Sequence, residues 1–365
     1  MATELERKLI EQIKLEGPIT FRDFMQAALY DPELGYYNTE RLKIGAEGDY
    51  YTSSNIHPAF GAVLAQAFSN LWAERSEPLT IVEMGAGTGQ LARDVLATIC
   101  DEHPVIFEAI TYVIVETSPA MRKRQQDKVA QFMDHIQWSN MEELEAKSFA
   151  GIVFSNEFVD AMSIHRLRCN QTTFEELYVT TCSHTGLAFQ WAGVSTQRLL
   201  EYIERMQATL QAGQVVEINL DAIDWLARIT GGLESGFLIT IDYGDLVEHL
   251  WSPERRLGTL RSFHKHQLKD SPLERTGEQD MTASVNFTAL IEYGRDFGFE
   301  TVSYEKQTSF LTRMGLIEKI AARYGDNESL EDLKERLAVK NLFVPAGISD
   351  SFRVLIQQKG PIYAD

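Results

Sequence analysis

The sequence predicts an α/β protein built on a largely parallel sheet, and three observations carry that expectation. Short β-rich runs (TIVEM, TYVIVET, GIVFSNE and GFLITIDYG) recur from Thr80 onward. Amphipathic segments able to form helices separate several of them, as happens when both faces of a sheet are covered. The first run also ends in a glycine turn, GAGTG, placed directly before a helical pattern.

The remaining elements follow in order. Thr3 and Glu6 fit a capping box, Leu5, Leu9, Ile10 and Ile13 share one face, and Gly17-Pro18 ends that helix. A second helix from about Phe21 to Leu29 stops at Asp31-Pro32. The polar, aromatic stretch GYYNTERLKIGAEGDYYTSS reads as loop with at most short strands, and a helix from about Pro58 to Arg75 follows. Residues 1–77 are expected to form a helical cap with a loop that covers the sheet domain, and 78–365 the sheet domain itself. Between GIVFSNE and GFLITIDYG lies an insert from about Ala161 to Gly232, longer than a crossover needs. Its segments FEELYVTT and LAFQWAG read as strands, TQRLLEYIERMQATL and NLDAIDWLARIT as helices, and the whole as a subdomain. A polar loop then runs from Tyr243 to Asp280. Helices near 287–297 and 330–340 and a strand SFRVLIQQK close the chain.

Composition narrows the function. The formal net charge of −19 and the absence of any Lys/Arg run longer than Arg122-Lys123-Arg124 disfavour a role built on phosphate neutralisation, so nucleic acid is not expected as a partner. An acidic surface would draw cationic partners, although the same balance also serves solubility. Cys100, Cys169 and Cys182 match neither a zinc site nor a disulfide framework, which fits a reducing compartment. The mixed-charge N-terminus lacks the apolar core of a signal peptide, and no stretch approaches the apolar length of a membrane span. A cytoplasmic protein that does not engage membranes is the expectation, with a homodimer possible.

The glycine turn then sets the ligand. A dinucleotide fingerprint needs G-x-G-x-x-G, but Gly85, Gly87 and Gly89 give G-x-G-x-G, with Gln90 next; the Gly-Lys-Ser/Thr ending of a P-loop is absent. The preceding strand ends in Glu83, a poor neighbour for a pyrophosphate and a good one for a cation. S-adenosylmethionine, with an ammonium and a sulfonium and no phosphate, fits, and its carboxylate could use the helix start after Gly89. The next strand ends in Glu116, 116 − 83 = 33 residues on, where an acid can accept both ribose hydroxyls.

A third stretch, FSNEFVDA, places Asn156, Glu157 and Asp160 just beyond an apolar strand, at the edge where ligands of open α/β sheets gather. Asn156 is assigned to the cofactor side, and Glu157 and Asp160 to orienting a nitrogen nucleophile. An equal alternative is that Asn156 caps a helix with both acids in its first turn. Weaker candidates for substrate contact are Asp242 and Tyr243 at the end of LITIDYG, His264 in GTLRSFHKH, and Thr52 beside Tyr50 and Tyr51. No metal-ligand spacing stands out.

These motifs together resemble the MidA-like class I methyltransferases. GPITFRDFMQAALYDPELGYY, GAEGDYYTSS, VEMGAGTGQLARDVL, YVIVETSPAMRKRQ, FSNEFVDAMSIHR, LITIDYGD, GTLRSFHKH and DMTASVNFTAL carry the resemblance across nearly the whole chain. It implies a seven-stranded Rossmann-like sheet, S-adenosylmethionine as methyl donor and, in the mitochondrial member, symmetric dimethylation of a protein arginine. On the same basis Glu83, Gly85, Gly87 and Gly89 match the cofactor motif, Glu116 the ribose acid, and Glu157 and Asp160 the Asn-Glu…Asp-Ala element beside the methyl acceptor. The chain departs from the family at Ser53-Ser54-Asn55, where Ser-Pro-Glu is usual, and at Met162-Ser163-Ile164-His165, where Pro-Val-His follows Asp-Ala. The expected activity is methylation of a protein arginine. The alternatives are a methyltransferase for a small molecule or another protein atom, an assembly factor that binds the cofactor but works by binding protein, and an NAD-dependent oxidoreductase, which Gln90 disfavours.

Overall fold

The computed structural model describes residues 2–39, 57–75, 77–171, 173–182, 186–264, 267–269, 271–323 and 348–360. Among them, seven strands, numbered here along the chain, line up in one sheet: β1 (Thr80–Met84), β2 (Thr111–Val115), β3 (Ile136–Ser139), β4 (Phe149–Asn156), β5 (Leu233–Asp245), β6 (Phe299–Lys306) and β7 (Phe352–Lys359). They lie in the order β6-β7-β5-β4-β1-β2-β3, and a two-residue strand, Val285–Asn286, adds to the far end of β5. The pairs β5–β4, β4–β1, β1–β2 and β2–β3 are parallel. β7 runs antiparallel to both β5 and β6. The expected α/β class with a mostly parallel central sheet is what the chain forms.

The apolar runs are continuous because the parallel strands are covered on both faces: Ile81, Val82, Ile152, Val153 and Phe154 are all fully buried. Helix Ala59–Trp72 is apolar around most of its circumference, burying Phe60, Val63, Leu64 and Phe68, with the Phe68 ring 5.0 Å from Phe154. Gly61 lets this helix approach helix Gln90–Glu102, since an added Cβ would stand 2.6 Å from Asp94 Cβ. Sequence reading misses β3 and β6. Both are edge strands with solvent-facing residues (Gln137 in β3; Glu300, Thr301 and Val302 in β6), so neither shows an apolar run.

The described residues fall into two compact units. The sheet unit gathers those of Tyr51–Phe158, Leu226–Tyr243 and Ile291–Asp365. The other gathers those of Met1–Tyr50, Val159–Trp225 and Gly244–Leu290. In this second unit the insert strands and the N-terminal helices share one core. Thr173–Cys182 pairs antiparallel with His165–Asn170, Ile19–Thr20 and Gly186–Ala192, and His165–Asn170 pairs with Val215–Ile218. Helices Glu4–Glu16 and Phe21–Tyr30 bury Leu5, Leu9, Ile13, Phe21, Phe24 and Leu29 with Leu177 and Val179. Thr3 accepts from the Glu6 amide at 3.0 Å and Thr20 from the Asp23 amide at 3.1 Å, so both helices start on side-chain caps.

Several boundaries differ from expectation. The stretch from Tyr243 to Asp280 is not simply loop: it holds helix Val247–Leu250 and strands Arg261–His264 and Gln267–Lys269, which form a three-stranded antiparallel sheet with Asp280–Thr282. Helix Gln197–Met206 stops early because Gln207 turns left-handed at φ +51°. Helix Ala59–Trp72 likewise ends before Arg75. The expected helix at 330–340 and most of GYYNTERLKIGAEGDYYTSS lie outside the described residues. No helix among the described residues is long and apolar enough to cross a membrane.

Candidate active site

The chain winds outward from β1 through β2 to β3, then returns to place β4 on the other side of β1. Ligands of open α/β sheets bind at such a reversal, outside the carboxyl ends of the strands. Because Glu83 is in register with Phe154 and Met84 with Ser155, the Gly85–Gly89 turn and the Asn156–Phe158 segment leave the sheet side by side.

All three glycines of the turn are left-handed: Gly85 at φ +66°, Gly87 at +51° and Gly89 at +80°. Two are also crowded. A Cβ on Gly85 would stand 2.6 Å from Phe158 Cδ2, and one on Gly89 would stand 3.1 Å from Gln125 Cα. Gly89 opens helix Gln90–Glu102 without a side-chain hydrogen bond to cap it, which leaves first-turn amides to receive an anionic group. The Gly85 amide donates to Val115 O at 3.1 Å and fastens the turn to the end of β2.

The two candidate acids, Glu83 and Glu116, sit in different surroundings. Glu83 is 3% exposed and accepts the Tyr112 hydroxyl at 2.7 Å. Burial pushes its carboxyl up to about 7, against the opposing effect of the Tyr112 hydrogen bond. Glu116 directly follows β2 and accepts from the Ser118 amide at 2.8 Å and from Gln125 Nε2 at 3.0 Å. Burial raises its carboxyl above the usual range, and those two donors act the other way. The long interval between the two acids is filled by helix Gln90–Glu102 followed by helix Pro104–Ala109.

Gln125 is a residue that sequence reading missed. It lies in helix Pro119–Lys128, PAMRKRQQDK, whose composition shows no apolar face, yet its side chain is fully buried. Its Nε2 donates to Gly87 O and to Glu116 Oε2, both at 3.0 Å, while its Oε1 accepts Trp138 Nε1 at 2.9 Å.

At the end of β4, Glu157 adopts φ +52°, a region side chains seldom occupy, and its amide donates to Ile241 O at 2.9 Å. Asn156 Nδ2 lies 3.4 Å from Glu157 Oε1, and Asn156 Oδ1 is buried without a hydrogen-bond partner among the described residues. No helix starts there, which removes the helix-cap reading of Asn156: residues 157–164 are turn, bend and irregular backbone. Asp242 is fully buried, and its two oxygens accept the amides of Phe158 (3.2 Å) and Tyr243 (2.9 Å). Its bond to the Phe158 amide ties the residue after Glu157 to the end of β5. Tyr243 stacks edge-on with Phe352 at 5.8 Å. Asp160 and His264 belong to the other unit. There the Asp160 carbonyl accepts the Ala283 amide at 3.0 Å, and His264 Nδ1 lies 2.9 Å from Glu278 O. Thr52 lies outside the described residues. Among the described residues no cluster of His, Cys, Asp or Glu is arranged to hold a metal ion.

These residues fit S-adenosylmethionine. Three left-handed glycines hold the turn in a shape that side-chain-bearing residues avoid, the uncapped helix start suits its carboxylate, and two acids stand at the ends of β1 and β2, where a phosphate would be repelled. The orphaned Asn156 Oδ1 adds a buried acceptor at the neighbouring strand end.

Comparison with known proteins agrees. A family model described as "Putative S-adenosyl-L-methionine-dependent methyltransferase" matches residues 61–304. The mitochondrial protein arginine methyltransferase NDUFAF7 of Danio rerio is 27% identical over 346 residues, 88% of this chain and 79% of that protein. Its Homo sapiens counterpart is 26% identical over 344 residues, 86% and 74% respectively. A crystal structure from Burkholderia thailandensis bound to S-adenosyl-homocysteine matches with a TM-score of 0.89 at 25% identity, covering 99% of this chain and 92% of that one. With two-thirds of its length matched, this chain belongs to the family of S-adenosylmethionine-dependent methyltransferases.

Proposed function

We propose that this enzyme methylates an arginine nitrogen of a protein substrate. One observation carries the reading: Glu157, an acid held left-handed at the end of β4, leaves the sheet beside the glycine turn. Bound S-adenosylmethionine supplies a methyl group on a sulfonium, already a good leaving group. The chain's own residues then have three tasks. Gly85, Gly87, Gly89 and the helix start hold the amino-acid end, with Glu83 toward its ammonium and Asn156 beside it. Glu116 accepts the ribose hydroxyls. Glu157 pairs with the incoming guanidinium, and Asp160, three positions along the chain, is the second candidate for that pairing.

A guanidinium is cationic at neutral pH, with a pKa above about 12, so it does not arrive as a free nucleophile. A carboxylate paired with it aims one nitrogen and concentrates positive charge on the others; the N–CH3 bond forms as the S–CH3 bond breaks to leave a neutral thioether, and the proton passes to the paired carboxylate and on to water at or after transfer. Alignment of this kind can supply about 7–11 kcal/mol of a barrier. Glu157 therefore need not be a strong base. The relatives named protein arginine methyltransferase support this substrate class, and the formal charge of −19 suits a cationic segment. Thr52, Tyr243 and His264 remain candidates for contacting that segment. Incubation with methyl-labelled donor and cell lysate, followed by mapping of the label, tests the proposal. Label on arginine nitrogen supports it, and label confined to another atom or to small molecules overturns it.

A further inference from the structure

We propose that Gln125 is the positioning residue for the ribose end of the cofactor site, a buried amide that holds the Glu116 carboxylate against the glycine turn and so sets the geometry the ribose hydroxyls meet. This rests on the reading of Glu116 as the ribose acid. Gly87 O and Glu116 Oε2 are both acceptors, and each lies 3.0 Å from the same nitrogen. A group with two hydrogens on one atom can give each acceptor a full hydrogen bond, and the amide nitrogen of glutamine is such a group. The orientation of the amide is not arbitrary. Trp138 Nε1 is a donor only, so the oxygen must face β3 and the nitrogen must face the turn and Glu116.

Burial gives the arrangement its strength. Gln125 is fully buried, its main chain lies 3.1 Å from the Cβ position of Gly89, and the bond to Glu116 is to a charged group in low dielectric. Other side chains of similar size fail. Glutamate would set a third acceptor against two others, and methionine would fill the space but donate nothing. Without the amide, Glu116 keeps the Ser118 amide at 2.8 Å and loses its tie to the turn, so its second oxygen can swing away from the ligand.

The test compares the calorimetric affinities of S-adenosylhomocysteine and its 2′-deoxy counterpart. Wild type should prefer the ribose compound by roughly tenfold or more, the worth of a hydrogen bond to a charged group. In Gln125→Met that preference should fall to about threefold or less, through weaker binding of the ribose compound while the deoxy compound binds as before. Equal weakening of both ligands would mean a merely structural role and would overturn the proposal, as would no change in either. Glu116→Gln separates the two ideas. If it keeps the wild-type preference, the ribose reading of Glu116 fails; if it loses the preference while Gln125→Met retains it, only the role of Gln125 fails. Should Gln125→Met not fold, Trp138→Phe leaves the glutamine but frees its amide to turn. A smaller loss of preference in the same direction supports the proposal there, and an unchanged preference overturns it.

Discussion

Tyr112 donates its hydroxyl to Glu83 across 2.7 Å inside the sheet unit, where both side chains are buried. The carboxyl titrates near 7 instead of 4.5, so the folded protein holds a proton there that the unfolded chain releases. The stability tied to that proton is fully present below pH 4.5 and is lost as pH rises through about 7. At ~1.4 kcal/mol per pKa unit the loss approaches roughly 3 kcal/mol. Glu83→Gln should therefore gain stability relative to wild type as pH climbs across this window, measured by urea unfolding at pH 5 and pH 8. A gap independent of pH would contradict the burial of this carboxyl.

Cofactor binding should feel the same group. A ligand ammonium beside Glu83 favours the ionised carboxylate. Affinity for S-adenosylhomocysteine should thus rise between about pH 6 and pH 8 in wild type. In Glu83→Gln the rise should disappear, which calorimetry at several pH values would read directly.

Gly85→Ala meets two obstacles. A left-handed residue with a Cβ costs about 1–2 kcal/mol, and the added carbon would stand 2.6 Å from Phe158 Cδ2. We expect at least a tenfold loss of S-adenosylhomocysteine affinity. Adding Phe158→Ala should remove the clash but not the backbone cost, so it recovers part of the Gly85→Ala deficit. Full recovery would mean that the left-handed backbone is unimportant.

Glu157→Gln should keep cofactor affinity and lower methyl transfer by roughly a hundredfold or more. Glu157→Gly should do the same while leaving stability unchanged or up to about 1 kcal/mol higher, because glycine relieves φ +52°. Calorimetry, transfer of labelled methyl and thermal unfolding separate these effects. Near-normal transfer in either variant would remove Glu157 from the chemistry.

Asp242→Asn leaves one oxygen where two backbone amides are now satisfied. A buried donor stripped of its acceptor costs about 1–3 kcal/mol. The variant should unfold at lower denaturant and also lose transfer, because the amide it frees is next to Glu157 or one residue beyond β5's Asp242. Unchanged stability would show that the amide of Phe158 or Tyr243 finds another acceptor.

Much of the site was legible because local chemistry demands it. A turn with three left-handed positions needs glycines, a threonine before a helical run can cap it, and a strand covered on both faces is mostly apolar, so GAGTG, Thr3 and TIVEM announce themselves. Gln125 was illegible because RKRQQDK shows charge and no period, and nothing local says which glutamine faces inward. Asp242 reads as one more strand-end acid until its oxygens are found on the amides of Phe158 and Tyr243. Edge strands β3 and β6 escaped for the opposite reason: exposure on one side removes the apolar run that marks their neighbours.

By itself, then, the sequence determined the α/β class, the glycine turn and the candidate acids at the ends of β1, β2 and β4, all features written within a dozen neighbouring residues. Only the tertiary structure decided that the insert strands share a core with the N-terminal helices, that Glu83 is shut away with Tyr112, and that Gln125 joins Gly87 to Glu116. Those outcomes depend on which distant segments meet, and burial and hydrogen-bond satisfaction act on the assembled neighbours rather than on the order of the chain.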